Sequence, residues 1–171
     1  MCIRKINAEE RIKRLCIQSG FHQSIVLKKS KKILDRYRDA RSFDIPKADD
    51  ESERIEKFHR LIREKYNRTY HEKQGHMTGS LDYLIMDVLG TSWTDHLIET
   101  TYSKMDDLQF NSEDYKNILN MYYFDAKERD DEYIKDVMKM SRPTYYRRKR
   151  EAITLFGMLL WNTMIEESGC V

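Results

Sequence analysis

Two prolines and six glycines are all that interrupt 171 residues. Sandwiches and barrels need a turn signal about every ten residues, so this scarcity argues against both. Long apolar runs are missing too. The longest, Leu155 to Trp161, spans seven residues, far short of the roughly twenty a membrane-spanning helix requires. The start, Met1-Cys2-Ile3-Arg4-Lys5, leads into a charged stretch without an apolar signal core, so secretion is not indicated. Cysteines are few and odd in number. Cys2, Cys16 and Cys170 have no CxxC spacing and read as free thiols of a reducing cytosol, not as a disulfide frame.

Catalytic signatures are equally sparse. The histidines (His22, His59, His71, His76, His96) form no HExxH pattern, and no Walker loop, GxGxxG or GxSxG occurs. The acidic pairs Asp106-Asp107 and Asp130-Asp131 suit helix ends and solvent better than acid–base work. The expectation is a protein that is not an enzyme, with no metal, no cofactor, no membrane and no small-molecule substrate.

What the chain does have is charge (35%) and enough hydrophobic residues (40%, with 11% aromatic) to build a core. An all-α fold follows. The net charge of +2 hides a segregation: residues 1–43 carry 12 Lys/Arg against 4 Asp/Glu, and residues 61–140 carry 10 against 16. All five basic residues of the segment 141–171 fall between Arg142 and Arg150. Two basic ends around an acidic centre suggest that the ends meet a polyanion.

Periodicity and turn residues divide the chain into a basic helical arm (1–43), a linker with Pro46 (44–53), a helical middle (54–108) and a C-terminal unit (111–171). In the arm, helices over 8–19 and 23–42 are separated by Gly20. The second has a narrow apolar stripe (Ile25, Val26, Ile33, Leu34, Tyr37) suited to lying on a surface. Its Lys28, Lys29, Lys32 and Arg36 are candidate phosphate contacts. In the middle, spacing predicts helices over 54–66, over 81–89 with Ser80 as N-cap and Gly90 at the end, and from Ser92 to about Asp107. Polar Asn67 to Gly79 reads as loop.

The C-terminal unit is the most informative. Asn111 or Ser112 caps a helix whose Tyr115, Ile118, Leu119, Tyr122 and Tyr123 share one face. A short helix follows, with Tyr133, Ile134, Val137 and Met138 on one side. After the turn Lys139-Met140-Ser141, Ser141 caps a long helix with Pro143 in its first turn. Short helix, tight turn and capped basic helix are the plan of a helix-turn-helix. At about 100° per residue, Tyr145, Ala152 and Phe156 face one way, while Pro143, Tyr146, Arg147 and Arg150 point outward. Outward residues of the first turns are those that reach base edges, and Arg pairs with both guanine and phosphate. Ser141, Arg142, Pro143, Thr144, Tyr146, Arg147, Arg148, Lys149 and Arg150 are therefore the candidate DNA-binding set, with Arg142 and Lys149 placed for phosphate. Beyond Ile153 apolar residues cover every direction of the wheel. Leu155, Met158, Leu159, Leu160 and Trp161 must meet either the middle helices or a second copy of the chain in a dimer.

The run Ser141-Arg142-Pro143-Thr144-Tyr145-Tyr146-Arg147-Arg148-Lys149-Arg150-Glu151-Ala152-Ile153, with Ile134, Met138, Met140 and Tyr122-Tyr123 before it, resembles the helix-turn-helix of sigma-factor region 4. More closely it resembles ArpU-type transcriptional regulators of phages and prophages. The resemblance spans roughly residues 111–160. It implies a sequence-specific DNA-binding regulator, commonly of phage late or autolysin genes, and the expectation here is an activator of phage or prophage late genes acting on double-stranded DNA in a bacterial cytosol. Three positions depart from that pattern: Lys135 where a small Ala is usual, Arg148 in a commonly apolar slot, and Lys139 in a turn position often given to Gly. The alternative is a sigma-like adaptor that binds RNA polymerase through its helical region with little operator specificity.

Overall fold

A 26-residue helix is the axis on which the chain is assembled. The computed structural model describes residues 7–42, 50–72, 85–108 and 110–170, and among these every regular element is helical. In chain order they are α1 (Ala8–Gln18), α2 (Gln23–Ser42), α3 (Glu51–Glu72), α4 (Ser92–Lys104), α5 (Ser112–Leu119), α6 (Asp131–Val137) and α7 (Arg142–Glu167). None of them is long and apolar enough to cross a membrane. A 3-10 turn, Met105–Asp107, follows α4, and a π-helical turn, Asn120–Phe124, extends α5.

Local chemistry sets most boundaries. Asn7 Oδ1 accepts from the Glu10 amide at 2.8 Å and caps α1, and Gly20 turns the chain at φ +74°. Gly90 stands at φ +85° before α4, as its type predicts. As expected, α4 begins at Ser92, and its cap is Thr91. Its Oγ1 accepts from the Thr94 amide, while Ser92 donates both its amide and its hydroxyl to Glu51 across the bundle. The expected linker therefore ends early, since Glu51 already belongs to α3. The reading of Asn67 onward as loop is also corrected, because α3 continues to Glu72. Polar composition does not break a helix when neither Gly nor Pro intervenes. Pro46, Gly75, Gly79, Ser80, the 81–84 part of the expected 81–89 helix, Cys2 and His76 lie outside the described residues.

The main core surrounds α7, which packs against α1, α2, α3, α4 and α5. Leu155, Phe156, Leu160, Trp161 and Met164 are all at most 3% exposed. This settles where the apolar tail goes. Leu155, Met158, Leu160 and Trp161 are buried by helices of the same chain, and Leu159 is partly buried against the same core, so of the two covers open to this tail the one seen is within the chain. The N-terminal helices supply much of the cover: Val26, Ile33, Leu34 and Tyr37 of α2 are buried in that core. Their narrow stripe suffices because the crossing is close. A Cβ on Gly157 would lie 2.5 Å from Ser30 Cβ and nearer still to its Oγ.

Candidate nucleic-acid interface

The segment from α5 to the first turns of α7 forms a smaller unit with its own core of Ile118, Ile134 and Tyr145, edged by Met121, Tyr122, Met138 and Met140. Asp130 caps α6, its Oδ1 accepting from the Tyr133 amide at 2.8 Å. Lys139 takes φ +53°, a left-handed conformation that reverses the chain between α6 and α7. Ser141 is the N-cap residue of α7 in extended conformation, with Pro143 in the first turn. Its hydroxyl donates to Thr144 Oγ1 at 2.9 Å rather than accepting from a backbone amide.

From that start α7 divides its cations into two sets. Arg142, Pro143, Tyr146, Arg147 and Arg150 are exposed, and Thr144 is half-buried. The Arg142 guanidinium lies 5.9 Å from the Tyr146 ring centroid and 3.9 Å from Glu132. Arg147 approaches Glu151 only to 4.0 Å, and Arg150 has no partner among the described residues. These three arginines are held to the protein loosely or not at all.

Arg148 and Lys149, expected on the DNA-facing set, behave differently and pair within the protein. Lys149 is 8% exposed. It donates to Asp131 Oδ1 at 2.6 Å and lies 3.2 Å from the centroid of Tyr122. Arg148 donates to Glu151 at 3.2 Å, lies 3.8 Å from Asp114 and contacts the Tyr115 hydroxyl at 3.5 Å. Both cations point inward because a helix carries four consecutive residues around its whole circumference. Two of the four in the run Arg147–Arg150 must therefore meet the body of the protein.

The inward pair joins the elements. Asp131, in the first turn of α6, also accepts from the Tyr145 hydroxyl at 2.7 Å. Burial, then that carboxylate, pushes the Tyr145 phenol well above its ordinary value. Tyr115 donates to Glu151 at 2.8 Å and is pushed up to about 12, by burial first and the carboxylate second. Tyr122 adds a link to α2, whose Arg38 lies 5.0 Å from the same ring. Asp131, Glu151 and Tyr122 were not singled out as site residues in the sequence. The signal available was the Tyr145/Lys149 pair at i, i+4, which presents a hydroxyl and an ammonium on one side of α7 and calls for an acceptor.

The departure at Lys135 also finds its reason, while Lys139 takes the positive φ that Gly usually supplies at such a turn. Lys135 lays its stem along α6 and pairs with Glu132 and Asp136 at the surface. On α2, Lys28, Lys32 and Arg36 are exposed at i, i+4 and i+8, and Lys29 is half-buried. Among the described residues no group of His, Cys, Asp or Glu is placed to hold a metal ion.

Residues 99–156 match the model of a family described as protein of unknown function (DUF1492). The match covers about a third of the chain, from the second half of α4 through the exposed basic turns of α7. No curated protein and no solved structure matches the sequence.

Proposed function

We propose that the protein is a sequence-specific DNA-binding transcriptional regulator whose α6–turn–α7 segment works as a helix-turn-helix. The observation that carries this reading is the division of cations on α7. Arg148 and Lys149 are consumed internally, whereas Arg142, Arg147 and Arg150 remain exposed beside Tyr146 on the first three turns. Such turns enter the major groove, where Arg donates two hydrogen bonds to guanine. The resemblance to ArpU-type regulators supports the same reading and points to activation of phage or prophage genes. Lys28, Lys32 and Arg36 add an exposed basic stripe for flanking phosphates.

One observation favours a contribution from the adaptor reading. Tyr133 and Val137, one turn apart on α6, are each 51% exposed. An uncovered apolar pair beside a DNA-reading helix suits contact with a second protein such as RNA polymerase.

Selection of bound duplexes from a random pool, followed by footprinting of the protein alone, tests the proposal. Arg147→Ala and Arg150→Ala are each expected to weaken the selected site by about 1–3 kcal/mol. Unchanged affinity in both variants would remove the recognition-helix assignment, and protection seen only with polymerase present would favour the adaptor.

A further inference from the structure

A cleft of about 420 Å³ opens between the end of α1, the α1–α2 turn and the third turn of α7. One wall is apolar, with Ile17, Phe21 and Leu27, and Ile17 is 64% exposed, the most uncovered large apolar side chain of the described residues. The opposite wall carries Arg147 and Arg150, and Lys13 stands on the α1 side. Two carboxylates also line the cleft, Glu9 and Glu151. Glu151 is committed elsewhere, since it accepts from Tyr115 at 2.8 Å and from Arg148 at 3.2 Å. Arg150, by contrast, has no partner among the described residues, and Arg147 reaches Glu151 only at 4.0 Å. The volume falls within the range of small-molecule sites, roughly 300–1,000 Å³.

We propose that this cleft binds a small amphipathic organic anion, an apolar ring system carrying one carboxylate, sulfonate or phosphate group. The ring covers Ile17 and Leu27, removing apolar surface from water. The anionic group takes the Arg147 and Arg150 guanidiniums, whose forked N–H donors match a planar or tetrahedral oxyanion. A neutral ligand leaves the guanidiniums unused, and an inorganic anion leaves the apolar wall wet. The site is defined on the free protein and does not rest on the DNA reading.

The test titrates 1-anilinonaphthalene-8-sulfonate into the purified full chain without DNA and follows fluorescence. Saturable one-to-one binding is expected. Arg147→Gln and Arg150→Gln are each expected to weaken it about ten-fold, the loss of one charge-assisted interaction. Ile17→Asp is expected to abolish it. All three side chains are exposed, and unchanged far-ultraviolet circular dichroism shows that a lost signal is not lost folding. The uncharged analogue N-phenyl-1-naphthylamine is expected to bind at least about ten-fold more weakly. No saturable binding, binding indifferent to all three substitutions, or equal binding of the uncharged analogue each overturns the proposal.

Discussion

Gly157→Ala should destabilise the protein, although it replaces a poor helix former by the best one. In an exposed helix this change would stabilise by about 1 kcal/mol. Gly157, however, sits where α2 crosses α7, and an added Cβ would meet Ser30 Cβ at 2.5 Å and Val26 Cγ1 at 3.4 Å. Carbon atoms attract best at about 3.5–4.0 Å, so the first contact forces one helix to move. The backbone of α2 must yield, because Cβ has no torsion with which to withdraw. The Ser30 hydroxyl is also fixed, donating to the Val26 carbonyl at 2.6 Å. Overpacking of this kind costs about 1–3 kcal/mol, and the depth of the overlap places it near the upper end. Subtracting the propensity gain leaves a net loss of about 2 kcal/mol, or roughly 4–8 °C in Tm for a chain of this size. Urea denaturation of Gly157→Ala, Ser30→Gly and the double variant measures this directly. Removing Ser30 Cβ should restore most of the loss, with a coupling of about 1 kcal/mol or more. An unchanged or raised midpoint in Gly157→Ala would refute the close crossing.

Four further outcomes follow from the same structure. Lys139→Gly should raise stability by about 1 kcal/mol, because φ +53° is strained for a residue with a Cβ; a lowered urea midpoint would contradict the left-handed turn. Asp131→Ala should cost about 2 kcal/mol by leaving a nearly buried ammonium unpaired, less than for a fully buried pair because Asp131 is 27% exposed. Lys149→Met should leave specific DNA affinity unchanged within a factor of about two, and a ten-fold loss would return Lys149 to the interface. Burial, aided by Arg63, lowers the His59 pKa below its ordinary value against the opposing pull of Glu167. The unfolded chain therefore binds this proton more readily. The stabilisation is complete above about pH 6.5 and declines as pH falls through the lower folded value. His59→Gln should flatten that part of a pH–stability profile, and an unchanged slope would assign it to other groups.

The elements most legible in the sequence were those set by neighbours in the chain. Ser141 and Pro143 mark the start of α7, and Gly20 and Gly90 take the positive φ their type permits. The outward face of Pro143, Tyr146, Arg147 and Arg150 followed from helical angles alone, and all four are exposed. What escaped depended on partners far along the chain. Lys149 could be placed on a helix, but its inward turn requires Asp131, 18 residues away on another helix. Arg148 likewise needs Asp114 of α5. The apolar tail announced a need for cover without saying what supplies it, and α1 and α2 proved to be part of the answer. The π turn at Asn120–Phe124, whose last residue gives its carbonyl to Arg41 at 2.8 Å, has no local sequence signature at all.

The position of α7 in the chain has a consequence for synthesis. It follows every helix it packs against. During translation α1 to α5 leave the ribosome with their apolar stripes facing no finished core, and they remain so until residues near Met164 have emerged. Most helical domains close their contacts locally and early. Here nucleation of the main core waits for α7, so the nascent protein passes through a stage that favours chaperone capture or association between incomplete chains. A stop codon near residue 150 would preserve the exposed arginines while removing the structure that holds them in place.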